Sequence, residues 1–460
     1  MSFSISERND TIIALATPQG VGAIAVIRLS GKDAIKLTNE VFFGKNLEKQ
    51  ESHTIHFGTI RDGEKIIDEV LVSLFIAPKS FTKENVVEIS THGSSYIINQ
   101  VIKLFLRKGV RPAKVGEFTQ RAFLNGQFDL AQAEAVADLI HADSETSHQA
   151  ALSQMRGGFS SEIQQLREKL IHFASMIELE LDFGEEDVEF ASRTELQGLV
   201  ERLLRVVEEL ILSFDLGNVI KNGVPTVIAG KPNAGKSTLL NALLNEEKAI
   251  VSEIAGTTRD FIEDEINIGG VIFRFIDTAG LRETTDTIEA IGVSRTQEKM
   301  KTASLILYLF DLGDTDLIEI NRDVNKLENL GVPFLKVANK IDKANPLLVN
   351  ALKEKHPDTI FISAGNKENL EELKVRIMEL VNLDKFKTGN TLVTNVRHYD
   401  SLIKTRDSLL DILRGIDEQI TNDFVAMDIR RSLHYLGEIT GEITTDDLLA
   451  NIFSKFCIGK

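Results

Sequence analysis

The chain has 460 residues, of which 43% are hydrophobic and 26% charged, and its formal net charge at pH 7 is −17. This length predicts two or three domains, and the composition is typical of globular proteins. The negative charge argues against a protein that coats nucleic acid nonspecifically, although a local basic patch could dock a structured RNA. The sequence shows no apolar run of membrane-spanning length, no signal peptide and a single cysteine. We therefore expect a cytoplasmic protein that does not bind membranes.

The sequence pattern divides the chain into four segments. Residues 1–122 mix short β-rich runs with glycine turns, which predicts an α/β domain. Residues 123–220 have helical periodicity, with a capping box at Ser192–Glu195 that predicts a helix start. Residues 221–383 alternate apolar strands with helices, and helical periodicity returns over 384–460. This order predicts that the third segment is inserted into a helical domain.

A Walker A phosphate-binding motif occupies Gly230–Ser237, with the sequence Gly-Lys-Pro-Asn-Ala-Gly-Lys-Ser. The apolar run 225–229 before it predicts a buried strand, and residues 238–244 after it predict a helix, as the motif requires. In such a loop backbone N–H groups surround a phosphate, Lys236 reaches the outer phosphates and the Ser237 hydroxyl ligates Mg²⁺. Taken alone, the pattern could also be a glycine-rich turn of another α/β domain.

Four further motifs follow in the order found in GTPases. Asp277 ends an apolar strand, where a carboxylate can hold Mg²⁺ through water, and Gly280 can donate its N–H to a γ-phosphate. The carboxylate of Asp342, in the motif Asn339–Asp342, can accept two hydrogen bonds from guanine, and adenine lacks the matching donors. Together the motifs predict a GTP site in a Ras-like mixed sheet flanked by helices. The four motifs are Gly256–Asp260, Asp277–Gly280, Asn339–Asp342 and Ser363–Gly365. The expected GTP contacts are Asn233, Ala234, Gly235, Lys236, Ser237, Thr238, Ser252, Glu253, Ile254, Ala255, Gly256, Thr257, Thr258, Asp277, Thr278, Ala279, Gly280, Asn339, Lys340, Ile341, Asp342, Ser363, Ala364 and Gly365.

One position departs from the Ras pattern and bears on the mechanism. Ras orients the attacking water with a glutamine just after the equivalent of Gly280, whereas this chain has Leu281 there and shows no evident arginine finger. A monovalent cation could supply the missing positive charge. Asn233 is either a ligand of that cation through its amide oxygen or an ordinary loop residue that tolerates left-handed geometry. The oxygens expected to ligate K⁺ belong to Asn233, Ser252, Ile254 and Thr257.

The tail Phe456-Cys457-Ile458-Gly459-Lys460 carries the cysteine. Lys460 and the chain end could favour the thiolate, which would make Cys457 a candidate nucleophile. The alternative is that Cys457 is a small packed hydrophobic side chain.

Taken together, these motifs resemble the MnmE (TrmE) family of tRNA-modification GTPases over essentially the whole chain. The phosphate loop, the segment Ala255–Asp260 and the run Asp277–Glu283 look like the family's G domain. The terminal Cys-Ile-Gly-Lys is its most specific signature. Residues 116–135 are similar to the junction of the family's folate-binding and helical domains. GTPases of the Era and EngA type share the nucleotide motifs but lack this N-terminal part and this tail.

The resemblance implies a multidomain α/β architecture and a reaction. Residues 1–122 would bind tetrahydrofolate and dimerise, residues 123–220 and 384–460 would form the helical domain, and residues 221–383 would be the inserted P-loop GTPase domain. The implied activity is that of a K⁺-stimulated GTPase in a homodimer, working in a heterotetramer with the flavoprotein MnmG (GidA). This assembly would add an aminomethyl or carboxymethylaminomethyl group to C5 of a tRNA wobble uridine. The one-carbon unit would come from 5-formyl- or methylene-tetrahydrofolate.

The resemblance also assigns roles to particular residues. Arg28, Glu88 and Lys460 match folate-site residues, and Gln127 stands where some members have a lysine. Glu289 matches the family's water-orienting glutamate and would supply what Leu281 cannot. Further expected roles are Mg²⁺ ligation by Ser237 and Thr258, and catalysis by Glu289 and Cys457.

Two other classes of function remain open from the sequence. The chain could be a regulatory GTPase of ribosome assembly, similar to Era or EngA, without chemistry of its own. It could also be a scaffold whose nucleotide controls only the shape of a dimer while partners perform catalysis.

Overall fold

The computed structural model describes residues 10–182, 193–246, 264–276, 300–381 and 391–454, together with Phe456 and Gly459. These residues form two compact units. The first comprises the described residues of 1–141, 151–208 and 400–460, and the second those of 142–150 and 209–399. The domain limits expected from the sequence remain predictions.

The first unit contains a mostly antiparallel sheet in the order β3-β4-β5-β6-β2-β1-β7, in which only β1 and β7 pair in parallel. Residues alternate between the two faces of each strand, and in β5 Val70, Val72 and Leu74 face the core. Helix α2 buries Val101 and Phe105 in the same core. The strands are β1 (Ile12–Leu15), β2 (Ile24–Ser30), β3 (Phe42–Phe43), β4 (Thr54–Asp62), β5 (Lys65–Phe75), β6 (Val86–His92) and β7 (Arg111–Pro112), with helices α1 (Ala34–Asn39) and α2 (Ser95–Arg107).

The helical periodicity expected after the sheet is confirmed in the described residues. The helices are α3 (Glu117–Leu124), α4 (Leu130–His141), α5 (Glu145–Met155), α6 (Gly158–Asp182) and α7 (Arg193–Asn222). Ser192 of the expected capping box lies outside the described residues, whereas α7 begins at the next position. No helix among the described residues is long and apolar enough to cross a membrane.

The second unit contains a sheet in the order β13-β12-β11-β8-β10-β9, parallel except for the antiparallel pair β9–β10. Helices cover both faces, which explains why β11 is apolar at nearly every position instead of alternating. The strands are β8 (Val224–Ala229), β9 (Asp264–Ile268), β10 (Val271–Phe275), β11 (Leu305–Asp311), β12 (Phe334–Asn339) and β13 (Ile360–Phe361). The helices are α8 (Lys236–Glu246), α9 (Leu317–Glu328), α10 (Pro346–Lys355) and α11 (Leu370–Leu380).

Helical structure returns after the second sheet, as expected. The helices are α12 (Val396–Asp417), α13 (Asn422–Thr440) and α14 (Asp446–Phe453). Within the first unit, α14 packs against the start of α3 so closely that a Cβ at Gly116 would lie 2.5 Å from the Phe453 carbonyl oxygen. This packing brings the end of the chain to the first sheet.

The two chain segments that border the second sheet pack on each other. A Cβ at Gly217 in α7 would lie 2.1 Å from the Val393 carbonyl oxygen, so only glycine allows this approach. The rings of Phe214 and Tyr399 stack nearby with centroids 4.3 Å apart. Both connections to the sheet are therefore held together at one place within the second unit.

Candidate functional site

The phosphate loop connects β8 to α8 at the carboxyl edge of the parallel strands, where α/β folds bind ligands. Two of its glycines are required by close approaches of neighbouring atoms. Gly230 has φ +152°, and a Cβ there would lie 2.0 Å from the Leu309 carbonyl oxygen. Gly235 has φ +97°, and its Cβ would lie 2.2 Å from Nδ2 of Asn339. The glycines therefore let the loop curl tightly against the strand ends.

Lys236, the first residue of α8, folds back over this loop. Its Nζ donates to the carbonyl oxygens of Gly230 (2.7 Å) and Lys231 (2.8 Å). Burial lowers the pKa of the Lys236 ammonium, because the charged form loses hydration. No carboxylate among the described residues forms an ion pair with Lys236, so an anion bound in the loop would supply its counter-charge. Ser237 and Thr238 follow in the first turn of the helix, whose positive dipole end also favours an anion.

Asn339, at the end of β12, ties three loops together. Its Nδ2 donates to the Ala234 carbonyl oxygen (2.8 Å), and its Oδ1 accepts from the Ala364 N–H (3.0 Å). The side chain is buried and makes both of these bonds, so its removal would leave polar groups of two other loops unpaired. The first position of the expected guanine motif thus holds the phosphate loop against the Ser363–Gly365 loop.

The next residues of the motif are oriented by similar bonds. Lys340 has φ +64°, and its Nζ donates to the Asn233 carbonyl oxygen (3.1 Å) and to the Asp311 carboxylate (2.6 Å). The Ser363 hydroxyl donates to Oδ1 of Asp342 (2.8 Å). The Asp342 carboxylate is exposed, and Ser363 fixes its direction. It can therefore accept the two N–H groups of a guanine base.

Asp311 was missed by the sequence analysis. It ends β11, the strand between β8 and β12, and its carboxylate reaches Lys340 at the same sheet edge. A carboxylate at the end of an otherwise apolar strand was the available signal. Its role in the site became visible only with the strand order.

The described residues fit a bound nucleotide and Mg²⁺. They make up only part of the expected set of ligand contacts. A Cβ at Gly230 or Gly235 would collide with the cradle, while Ser237 and Asn233 lie in or beside it with oxygen-bearing side chains. No group of three His, Cys, Asp or Glu side chains among the described residues could hold a metal ion. The remaining expected contacts lie outside the described residues, and they are Ser252, Glu253, Ile254, Ala255, Gly256, Thr257, Thr258, Asp277, Thr278, Ala279, Gly280 and Glu289.

A second cluster lies on the first sheet, where Arg28 of β2 pairs across strands with Glu88 of β6. The Arg28 Nε and Nη2 both donate to Oε1 of Glu88, at 2.8 and 2.7 Å. Its Nη1 donates to the carbonyl oxygen of Gly459 (3.2 Å). The guanidinium also lies 5.9 Å from the ring centroid of Phe81 and 5.8 Å from that of Phe118.

The tail residue Gly459 is held tightly beside this pair. It has φ +94°, and a Cβ would lie 2.3 Å from the Leu15 carbonyl oxygen. The neighbouring Cys457 and Lys460 lie outside the described residues. Gln127 is exposed just after α3 and lines a groove together with Phe81. The structure thus brings Arg28, Glu88 and Gly459 together, and Gln127 lines the same groove as Phe81.

An ion cluster supports the start of α3, which carries Phe118. Glu117 is buried, and it accepts hydrogen bonds from Arg111 (2.5 Å) and Arg121 (3.0 Å). Burial alone would raise the pKa of Glu117, but the bonds from Arg111 and from the Lys114 N–H hold that pKa below its usual value. Asp10 joins both arginines and has a lowered pKa for the same reason, with burial again opposing the shift. The helix start is therefore fixed by paired charges.

Comparisons with known proteins agree along the chain. Residues 11–127 match the family model described as GTP-binding protein TrmE N-terminus, and residues 130–457 match the model described as MnmE helical domain. The chain is 62% identical over 457 residues to the tRNA modification GTPase MnmE of Cytophaga hutchinsonii, covering 99% of both chains. It is 53% identical to the protein of that name from Flavobacterium psychrophilum, covering 98% of this chain and 99% of the relative. Among solved structures, Era aligns with 40% of this chain at 29% identity and a TM-score of 0.27.

Proposed function

The chain belongs to the MnmE family of tRNA modification GTPases, and on that premise we propose that it binds and hydrolyses GTP in the modification of tRNA. The observation that carries the proposal is the bridge made by Asn339. Its two hydrogen bonds join the phosphate loop to the loop beside Asp342, so the parts that would hold phosphate and base form one continuous site.

Each described residue of the proposed nucleotide site would have a defined role in that activity. Lys236 places a partly desolvated positive charge where phosphate oxygens would lie, and such a charge is strongest in a low-dielectric site. Ser237 would ligate Mg²⁺, which neutralises phosphate charge when bound. Asp342 would select guanine, since a base without paired N–H donors leaves the carboxylate unsatisfied. Lys340 holds the base loop against the phosphate loop through Asn233 and Asp311.

Residues outside the described part, together with Asn233, would complete the chemistry. Glu289 would orient the attacking water, because Leu281 has no hydrogen-bonding side chain. Oxygens of Asn233, Ser252, Ile254 and Thr257 would hold K⁺, which would provide the positive charge that an arginine finger supplies elsewhere. Thr258 would join Ser237 at Mg²⁺.

The second cluster would bind a one-carbon tetrahydrofolate, either the 5-formyl or the methylene form. Glu88 can accept pterin N–H groups, and Arg28 can donate either to the folate glutamyl carboxylate or to pterin acceptors. Gln127 and Lys460 would contact the rest of the ligand. The contact between Arg28 and Gly459 supports this proposal, since Gly459 precedes Lys460 and lies two positions after Cys457 in the sequence. The proposed role of Cys457 as a nucleophile is tested by the substitution Cys457→Ser.

We infer the following partners for the reaction. The chain would act as a homodimer and form a heterotetramer with the flavoprotein MnmG. Together they would add an aminomethyl or carboxymethylaminomethyl group to C5 of the wobble uridine of certain tRNAs. A cytoplasmic location follows from that substrate.

The decisive experiment is nucleoside analysis of tRNA from cells that lack the protein. We expect the modified wobble uridine to disappear and to return with the wild-type gene, but not with Lys236→Ala. The control is Lys326→Ala, which removes an exposed lysine of α9 whose ion pair among the described residues is with Asp323. Unchanged nucleosides together with accumulated ribosome precursors would favour a ribosome-assembly GTPase instead.

A further inference from the structure

The expected nucleotide contacts do not include Lys231, the second residue of the Walker A motif. Its side chain points out of the phosphate loop and reaches helix α9. There its Nζ donates to Oε2 of Glu319, a residue of the first helical turn, at 2.5 Å. The phosphate loop is therefore tied to a neighbouring helix by an ion pair.

The strand order explains why α9 lies within reach of the loop. Gly230 stands so close to β11 that a Cβ there would lie 2.0 Å from the Leu309 carbonyl oxygen. After β11 the chain leads directly into α9. The Asp316 carboxylate accepts the Glu319 N–H (2.8 Å) and caps this helix, which fixes its first turn.

The main chain of Lys231 has a second task in the loop. Its carbonyl oxygen accepts hydrogen bonds from Nζ of Lys236 (2.8 Å) and from the Ala234 N–H (3.3 Å). A carbonyl oxygen has two lone pairs, so both are used here. An anchor on Lys231 therefore also holds the place where the Lys236 ammonium rests.

The two halves of the loop have different anchors. The guanine motif 339–342 holds the carbonyl oxygens of Asn233 and Ala234, at 3.1 and 2.8 Å. These bonds fix the second half of the loop. The pair of Lys231 and Glu319 attaches the first half to α9.

Charges around the pair keep it formed at neutral pH. The Glu319 carboxylate is also approached from its other oxygen, Oε1, by Nη2 of Arg322 (3.4 Å). The hydrogen bond to Glu319 raises the pKa of the Lys231 ammonium, while desolvation opposes the shift. The carboxylates of Asp314 and Asp323 act in the same direction as Glu319. Lys231 is therefore positively charged and faces an acidic helix start.

We propose that Lys231 and Glu319 are a positioning pair, which anchors the phosphate loop to α9 and slows the release of bound nucleotide. The inference rests on the proposed nucleotide site, and the pair acts through Lys236 without touching the ligand. It reverses a simple expectation from charge. A carboxylate near bound phosphates repels them, so by charge alone its removal would tighten binding. If Glu319 anchors the loop, its removal weakens binding instead.

The test measures the release of a fluorescent GDP analogue from the full-length protein by stopped-flow displacement. Lys231→Ala and Glu319→Ala should each speed release about threefold, the size expected for an ion pair whose lysine side chain is 44% exposed. The double variant should also be about threefold faster, because both substitutions remove the same contact. Lys231→Arg should keep the wild-type rate, since arginine can donate to the same carboxylate.

The control is Glu328→Ala, which makes the same charge change at the exposed far end of α9 and should leave release unchanged. Slower or unchanged release in Glu319→Ala would overturn the inference, as would additive effects in the double variant. These results would leave nucleotide binding itself intact. Absence of GDP binding by the wild type would instead contradict the proposed function, and the inference with it.

Discussion

The Thr146 hydroxyl donates a hydrogen bond of 2.7 Å to the Gly270 carbonyl oxygen. Thr146 lies in the first turn of α5, and Gly270 lies in the turn between β9 and β10, where Gly269 and Gly270 both have positive φ. The hairpin formed by these strands separates two of the expected nucleotide motifs, 256–260 and 277–280, along the chain. Helix α5, which belongs to the segment 123–220 with helical periodicity, is therefore hydrogen-bonded to the hairpin that lies between those two motifs in the sequence.

We predict that Thr146→Val weakens this attachment. Valine keeps the shape of threonine but cannot donate, so the half-buried Gly270 carbonyl loses its partner at a cost of about 1 kcal/mol. Hydrogen exchange at the β9–β10 turn should become faster, and the free energy of unfolding should fall. Thr146→Ser is the matched control because it keeps the hydroxyl. Equal exchange rates in the valine and serine variants would contradict the role of the bond.

Gly235→Ala should disrupt the nucleotide site. The new Cβ would lie 2.2 Å from Asn339 Nδ2 at a φ of +97°, so it would combine backbone strain with displacement of the Asn339 bridge. Strain of about 1–3 kcal/mol predicts roughly 5- to 150-fold weaker binding of a fluorescent GDP analogue. Gly331→Ala is the control, because Gly331 also has a positive φ, +69°, while its Cβ would meet no atom within 4 Å. Unchanged affinity of Gly235→Ala for the GDP analogue would show that nucleotide binding does not depend on the position of the Asn339 side chain.

Asp342→Asn should change base selection. An asparagine amide presents a donor where guanine needs an acceptor, and it can donate to the C2 oxygen of xanthine. Loss of a charged hydrogen bond costs about 1.5–3 kcal/mol, so GTP affinity should fall roughly 10- to 100-fold while affinity for xanthosine triphosphate rises. Competition binding with both nucleotides measures the ratio. Full discrimination in favour of GTP would refute the assignment of Asp342.

The Arg28–Glu88 pair allows a charge-swap experiment. Arg28→Glu and Glu88→Lys should each weaken 5-formyl-tetrahydrofolate binding, because the remaining partner keeps a charge that repels the new one. The double variant Arg28→Glu/Glu88→Lys should regain thermal stability, since the cross-strand ion pair is restored in reverse. It should not regain folate affinity, because donors and acceptors are exchanged. Normal calorimetric affinity in both single variants would remove the pair from the site.

GTP hydrolysis should be fast in KCl and slow in NaCl at equal ionic strength, and association of two nucleotide domains should follow the same order. K⁺ is large and suits several neutral oxygens, such as those expected from Asn233 and from residues 252–257. Glu289→Ala should lose hydrolysis but keep K⁺-dependent association, because its proposed role is to place the water. Equal turnover in the two salts would exclude the cation mechanism, and a normal rate in Glu289→Ala would exclude its role.

Local sequence determined much of the nucleotide site. The order of residues in Gly230–Ser237 and the apolar runs on both sides predicted a strand, a loop and a helix, and the structure has β8, the loop and α8 there. These predictions succeed because hydrophobic periodicity and glycine spacing act over a few residues.

The tertiary structure alone decided which distant groups meet. Asn339 reaches a carbonyl 105 positions away, and Arg28 reaches the Gly459 carbonyl 431 positions away. Asp311 and Thr146 likewise found their partners through the strand order and the packing of α5. A hydrogen bond needs its two atoms within about 3 Å, and no local pattern records a contact formed by chain crossovers and sheet order. The sequence therefore determined which residue types are available to the sites, and the fold determined which of them come into contact.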